Sequence, residues 1–247
     1  MNLLAAILIF MSRGLRADLH IHSNFSDGSL SISEIVDLYG RNGFDVISIT
    51  DHLSESKNLI GQISHRMKYS LTESSFSEYF HEFNIQKNRA LEQYGMNVVF
   101  GYEITKNHFS NSRSCHVLVL GVEEYISPDL EIEEIIALAK RKNGLVIAAH
   151  PFHTGDFEFQ TFYLWSRREQ FKDLIDAWEV SYRKKISLEV MQSGLPLIAS
   201  SDFHNLSHFS SWKTHLFCKN DFQSIKDSIR NQELDFFYMD KNVQKSI

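Results

Sequence analysis

The sequence predicts an α/β domain with a largely parallel sheet, either covered by helices on both faces or closed into a barrel. Three observations lead there. Apolar runs of strand length alternate with helical stretches along most of the chain. Most of those runs are apolar throughout instead of alternating, as strands buried on both faces are. The chain has 247 residues, of which 43% are hydrophobic and 13% aromatic, enough for one sizeable core, and its three prolines form no linker.

The opening "MNLLAAILIFMSRG" is apolar but too short to span a membrane, and it lacks the basic start of a signal peptide. Residues 1–15 are therefore expected to be an N-terminal extension, with Met11 as an alternative start, ahead of one domain over 16–247. A leader cleaved after Ala17 is the less favoured reading. The first strand is "RADLHIH". "SISEIVDLYGRNG" then carries a capping box, Ser31 with Glu34, followed by apolar Ile35, Leu38 and Tyr39 at helical spacing and a stop at Gly43. "FDVISITDH" is a buried strand. Leu53 to Tyr94 has no strand signal and is expected to hold helices or a lid.

Beyond it come the strands "MNVVFGYEIT" and "HVLVLGV", then the helix "PDLEIEEIIALAKRKNG", beginning at Pro128 and ending at Gly144. "LVIAAHPF", "DAWEVSY", a helix to Gly194, "LPLIASSDFH", "THLFCK", a last helix and "DFFYMD" complete the order. The net charge of -6 argues against a general nucleic-acid coat protein but leaves room for a locally positive pocket. Cys115 and Cys218 make no disulfide framework or zinc knuckle, which suits a reducing, cytoplasmic setting.

The chemistry gathers at strand ends. His20 and His22 end the first strand, His52 the second and Glu103 the third. His150 ends "LVIAAH", and Asp202 with His204 ends "LIASSDFH". In a parallel barrel these ends share one face, and the two-residue period turns His20 with His22, and Asp202 with His204, to the same side. A single histidine there is more often a satisfied core group; the repetition, with Asp27 returned by the turn at Gly28, favours a metal site. His65, His81, His108, His208 and His215 keep the ordinary reading. Ser201, Asp202 and His204 lie too close in sequence to form a triad, and no nucleophile elbow surrounds them.

In this order, "DLHIHSNFSDGS", "ITDH", "GYEI", "HVLVLG", "AAHP" and "SSDFH" resemble the motifs of the PHP (polymerase and histidinol phosphatase) superfamily of metal-dependent phosphoesterases. The resemblance implies a distorted (β/α)7 barrel and two or three divalent ions of manganese, zinc or iron. Carried over, His20, His22, Glu103 and Asp202 would hold one metal and Asp27, His52 and His204 a second. Glu103, bridging, would join His116 and His150 on a third. His116 stands at the beginning of its strand, so geometry alone would not select it. His153 is given a supporting or surface role. Arg183 and Lys184 could meet substrate phosphate or begin a solvated helix.

The expected reaction is hydrolysis of a phosphate ester by a metal-bridging hydroxide, with Asp27, Glu103, Asp202 and His204 acting through the cluster. The expected substrate is a small phosphorylated metabolite, a nucleotide or a short oligonucleotide. The alternatives are a phosphodiesterase or exonuclease on nucleic acid and a non-catalytic, metal-stabilised binding module. Amide hydrolysis is disfavoured by the missing carboxylated-lysine signature. The stripe Phe157, Phe159, Phe162, Tyr163 and Trp165, ahead of Arg167 and Arg168, could stack a base or form a lid, but such stripes more often pack on their own core. No membrane or obligate protein partner is expected.

Overall fold

The computed structural model describes residues 14–152 and 161–240. Residues 1–13 of the proposed extension, with Met11, and His153, Phe157 and Phe159, lie outside the described residues, and Leu15, assigned to that extension, instead opens the first strand. The strands are β1 (Leu15–Ile21), β2 (Val46–Ile49), β3 (His52–Ser54), β4 (Asn97–Lys106), β5 (Cys115–Leu120) and β6 (Leu145–Ala148). They continue as β7 (Ala177–Glu179), β8 (Ser181–Tyr182), β9 (Lys185–Ile186), β10 (Leu197–Ile198), β11 (Trp212–Leu216) and β12 (Leu234–Tyr238). The helices are α1 (Ile32–Arg41), α2 (Leu59–Arg66), α3 (Glu73–Tyr94), α4 (Ile132–Arg141), α5 (Phe162–Ser166), α6 (Arg168–Phe171), α7 (Leu188–Met191) and α8 (Phe222–Arg230). No helix among the described residues is long and apolar enough to cross a membrane.

The main sheet runs β10-β7-β6-β5-β4-β2-β1 and continues into β11 and β12. It nearly closes. The first half of β1 pairs antiparallel with β11, while Ile21 bridges in parallel to Phe203, just beyond β10. There the His22 N–H donates to the Phe203 carbonyl at 2.8 Å, and the Phe203 N–H to the His20 carbonyl at 3.1 Å. The result is a distorted α/β barrel, as the resemblance implied. Its main irregularity is β5, antiparallel to both β4 and β6. The connection over residues 107–114 contains only a short 3-10 turn, too little for the crossover that a parallel pair requires.

One core cluster fills the barrel interior, with Ala17, Val46, Val99, Leu118, Ile147, Ala177 and Ile198 contributed by successive strands and Ile225 and Ile229 of α8 packed on them. A second cluster packs α1, α3 and α4 on the outside of the sheet through residues such as Tyr39, Phe83 and Ile135. Within β1, Leu15, Ala17 and Leu19 join the interior cluster but Ile21 joins the outer one. The register with β2 shifts between Asp18 and Ile21, and this irregularity hands the inner face to His20 and His22.

Ser31 and Glu34 form the expected capping box of α1. Several expected boundaries move. Helix α4 starts at Ile132 behind Glu131, not at Pro128, whose carbonyl instead accepts from Lys106 Nζ at 2.8 Å. "DAWEVSY" breaks at Val180 into β7 and the β8–β9 hairpin, and the helix before Gly194 is only α7. β10 stops after Ile198 because side chains replace the ladder. The Ala199 N–H donates to Thr214 Oγ1 at 3.0 Å and the Ser200 N–H to Ser181 Oγ at 3.0 Å. The Ser201 N–H donates to Asp18 Oδ1, again at 3.0 Å.

Asp18 holds this junction. Its carboxylate accepts from Tyr39 Oη at 2.8 Å and Ser201 Oγ at 2.6 Å, and pairs with Lys213 Nζ at 3.1 Å, both partners of the pair fully buried. Lys213→Met would leave that carboxylate buried without its cation. The expected cost is about 3–5 kcal/mol, read as a lower urea midpoint; a loss below about 1 kcal/mol would show that the pair does not hold the junction.

Candidate metal centre

Each predicted strand-end residue is brought to the barrel's C-terminal mouth by a traceable local cause. The turn bearing Asp27 is shaped by Asp51, which accepts from the Ser23 N–H at 2.8 Å, Ser23 Oγ at 2.6 Å and Ser26 Oγ at 2.5 Å. Gly28 closes it where a Cβ would lie 2.3 Å from the His22 carbonyl oxygen. His52 opens β3 directly opposite Glu103 in β4. His116 reaches the mouth because β5 is reversed, so its beginning lies where the parallel strands end. His150 and Asp202 follow β6 and β10 with φ of 28° and 50°, backbone states that L residues rarely adopt.

Glu103 sits at the centre. Its Oε1 lies 3.0 Å from His116 Nδ1 and 3.5 Å from Nε2 of both His20 and His150. Its Oε2 lies 2.7 Å from His52 Nδ1 and 3.6 Å from His22 Nε2. Asp202 Oδ1 is 3.4 Å from Nε2 of His20 and of His22, and 3.5 Å from His204 Nδ1. On the outer side, Asp27 Oδ1 stands 3.3 Å from His204 Nε2 and 3.5 Å from His52 Nε2.

Four overlapping groups have donor atoms within 4.8 Å of one another, so each could hold a metal ion. They are His22 with Asp27, His52 and His204; His20 with His150 and Asp202; His20 with His22 and Glu103; and Glu103 with His116 and His150. All nine sequence-predicted ligand positions fall within them. The grouping differs from the carried-over one in detail, since His22 also faces the Asp27 group and Asp202 also faces His150. The residues fit divalent ions. His22 Nδ1 is buried without a hydrogen-bond partner among the described residues, and Nε2 of His20 and His22 face each other at 2.9 Å. Mixed imidazole and carboxylate donors suit zinc, manganese and iron.

Burial, with the neighbouring His204 and His52, lowers the His22 pKa to about 3, leaving a neutral ring able to ligate. Burial also disfavours protonated His20, but Glu179, Glu103 and Asp202 outweigh it and raise that pKa. Burial alone would raise the Glu103 pKa; His116, His52 and His20 hold it well below the usual carboxylate range.

Glu179, the buried last residue of β7, is not among the sequence-predicted residues but belongs to the centre. Both its oxygens lie 3.1 Å from His20 Nδ1, and Oε2 accepts the His150 N–H at 2.8 Å. A carboxylate ending the strand "DAWE" is the same signal that selected Glu103. Asn107 Oδ1 similarly meets His116 Nε2 at 2.9 Å. His208 is not an ordinary surface histidine, because its Nδ1 accepts the His204 N–H at 3.2 Å. His65 bonds the Ser54 carbonyl, His81 is exposed, His108 lies in the 107–114 loop and His215 stacks on Phe237, away from the cluster.

Arg183, at the turn of the β8–β9 hairpin, brings Nε to 3.9 Å from Asp202 Oδ2. Lys184 is exposed, and no side-chain contact joins it to the cluster among the described residues. Of the aromatic stripe, Trp165 is buried while Phe162 and Tyr163 pack on the outer core. Arg167 and Arg168 cover the rings of Tyr163 and Trp165 at 4.1 and 4.9 Å. That part of the stripe is core packing.

Glu179→Ala would free the His20 ring and the His150 peptide. Divalent-metal affinity, measured by competition with a chromogenic chelator, is expected to fall about 10–100-fold; unchanged affinity would contradict an orienting role.

A family model for the PHP domain matches residues 18–241. The chain is 22% identical over 231 residues to the DNA polymerase/3'-5' exonuclease PolX of Bacillus subtilis (strain 168), covering 81% of this chain and 36% of that protein. A solved two-domain protein of Bacteroides vulgatus ATCC 8482, containing a predicted PHP-like metal-dependent phosphoesterase, superposes with a TM-score of 0.70 at 19% identity. That superposition covers 91% of this chain and 64% of the other. The chain thus spans less than two thirds of either relative. The family match runs from Asp18, through every residue gathered around Glu103, to beyond the last strand, and this chain belongs to the PHP domain family.

Proposed function

We propose that the protein hydrolyses phosphate esters at two or three divalent metal ions, manganese, zinc or iron. His20, His22, Asp27, His52, Glu103, His116, His150, Asp202 and His204 would hold them. The observation that carries this reading is the convergence of five imidazoles on buried Glu103. Such ions supply Lewis acidity and lower the pKa of water from 15.7 towards about 7.

The chain's own residues set up the rest. His20, His22 and Glu103 have fully buried side chains, whereas those of Asp27, His52 and His204 are 32%, 14% and 16% exposed, so the ester would enter on the Asp27 side. Arg183 lies at the rim, where its guanidinium would meet phosphate oxygens. Because the cluster's three carboxylates leave a surplus of positive charge once ions bind, the site would attract phosphate despite the acidic chain. Nine competent ligand positions favour catalysis over a metal-stabilised binding module. Cys115 and Cys218 are both free, which supports a reducing compartment such as the cytoplasm.

The substrate class favoured is a small phosphorylated metabolite, nucleotide or short oligonucleotide. The relative named as a 3'-5' exonuclease favours a second reading, a diester at a nucleic-acid end. Protein reconstituted with manganese, zinc or iron should turn over 4-nitrophenyl phosphate, its bis ester or a member of a nucleotide panel. Preference for the bis ester and single-stranded oligonucleotide would select the second reading. No turnover at full metal occupancy would reject both.

Asp202→Ala is expected to lower kcat/KM about a hundredfold or more, and unchanged turnover would remove Asp202 from the centre. Arg183→Ala should raise KM about tenfold with kcat changed less, whereas Lys184→Ala should alter neither. Equal effects of the two substitutions would refute the assignment of Arg183.

A further inference from the structure

A pocket of about 300 Å³ adjoins the cluster and shares His150 and Glu179 with it. It arises where β7 ends and the chain turns through the β8–β9 hairpin. Trp212 anchors the hairpin tip, its backbone N–H donating to the Arg183 carbonyl at 3.3 Å and its indole N–H to the Lys184 carbonyl at 3.2 Å. The walls are mainly apolar, formed by Phe152, Val180, Tyr182, Ile186 and Leu188. The lining also holds Lys185, the carboxylates of Glu179 and Glu189, and the hydroxyls of Ser181 and Ser187.

Tyr182 joins pocket to cluster. Its ring meets that of His150 edge-on, centroids 5.4 Å apart, and the Arg183 guanidinium packs on it at 4.7 Å. Leu188, an apolar side chain of this lining, is 66% exposed.

An ester whose phosphoryl group lies at the Arg183 rim must project its alcohol portion to one side, and the pocket lined by Tyr182 and His150 is a walled space next to that rim. We propose, resting on the phosphoesterase reading above, that the pocket receives that alcohol portion and selects a flat aryl or nucleobase-like group. Polar groups line only the smaller part of the surface, so a polyol's hydroxyls would find few partners, whereas a ring gains contact with Phe152, Tyr182 and Ile186. The volume is at the small end of the roughly 300–1,000 Å³ typical of ligand pockets and suits one ring system better than an oligomer.

The test compares benzyl phosphate with ethyl phosphate on the metal-loaded full chain, because both release primary alcohols of similar basicity. Benzyl phosphate should have a kcat/KM about tenfold higher, mainly through KM. Ile186→Ala should bring the ratio of the two esters to within about twofold. Leu188→Ser, at an exposed position, provides a second reading of that ratio should the first variant not fold. A wild-type ratio near one, or a ratio unmoved in the folded variants, overturns the pocket assignment while leaving ester hydrolysis intact. If neither ester is hydrolysed, the phosphoesterase reading fails, and the pocket is judged by calorimetric affinity. Tighter benzyl phosphate binding, by about tenfold, then supports it, and equal affinities overturn it.

Discussion

A buried carboxylate surrounded by imidazoles is the constraint on which the rest of the structure depends. Glu103 has ring nitrogens of five histidines within 3.6 Å, and those histidines come from β1, β3, β5 and the end of β6. Removing a carboxylate from water is costly unless positive charge accompanies it. Protonated imidazoles can provide some of that charge, but His22 is held neutral by burial and its neighbours. Divalent ions would meet the same demand and would give the Nδ1 of His22, buried without a hydrogen-bond partner among the described residues, a partner. The barrel's irregularities serve this convergence, since the shift in β1 turns two histidines inward and the reversal of β5 brings a third.

Three other buried carboxylates hold the scaffold around that centre. Asp18 ties the segment carrying Asp202 to β1, Asp51 shapes the turn carrying Asp27, and Glu179 fixes the His20 ring together with the His150 peptide. These bonds have to hold His150 and Asp202 in positive-φ backbone that neither side chain favours. The division of labour is physical. Asp18, Asp51 and Glu179 position the chain through hydroxyls, peptide N–H groups or a ring nitrogen, while Asp27, Glu103 and Asp202 face several imidazoles in groups able to hold cations.

Much of this was legible because strand ends are marked by a change from apolar runs to histidine or carboxylate. That rule selects His20, His22, His52, Glu103, His150, Asp202 and His204, and the structure brings them together. It could not select His116, whose location depends on strand direction, a property of the connection over residues 107–114 and not of the strand itself. Glu179 obeyed the rule as Glu103 does, and what separates them, five imidazoles around one and a single imidazole beside the other, exists only in the fold. The shift in β1, the short β10 and the late start of α4 depend on bonds from distant side chains or on a cap beyond the nearest proline. Arg183 and Lys184 are neighbours in sequence, and only the hairpin's turn decides which one faces Asp202.

Metal content per chain tests the central assignment most directly. After reconstitution with manganese or zinc and removal of free ions, inductively coupled plasma mass spectrometry would compare the full chain with Glu103→Gln. The geometry predicts about two to three ions per wild-type chain and a clear loss in the variant, whose amide retains shape but removes the central negative charge. Fewer than about one ion per folded wild-type chain, or equal content in both proteins, would contradict a multinuclear centre built on Glu103.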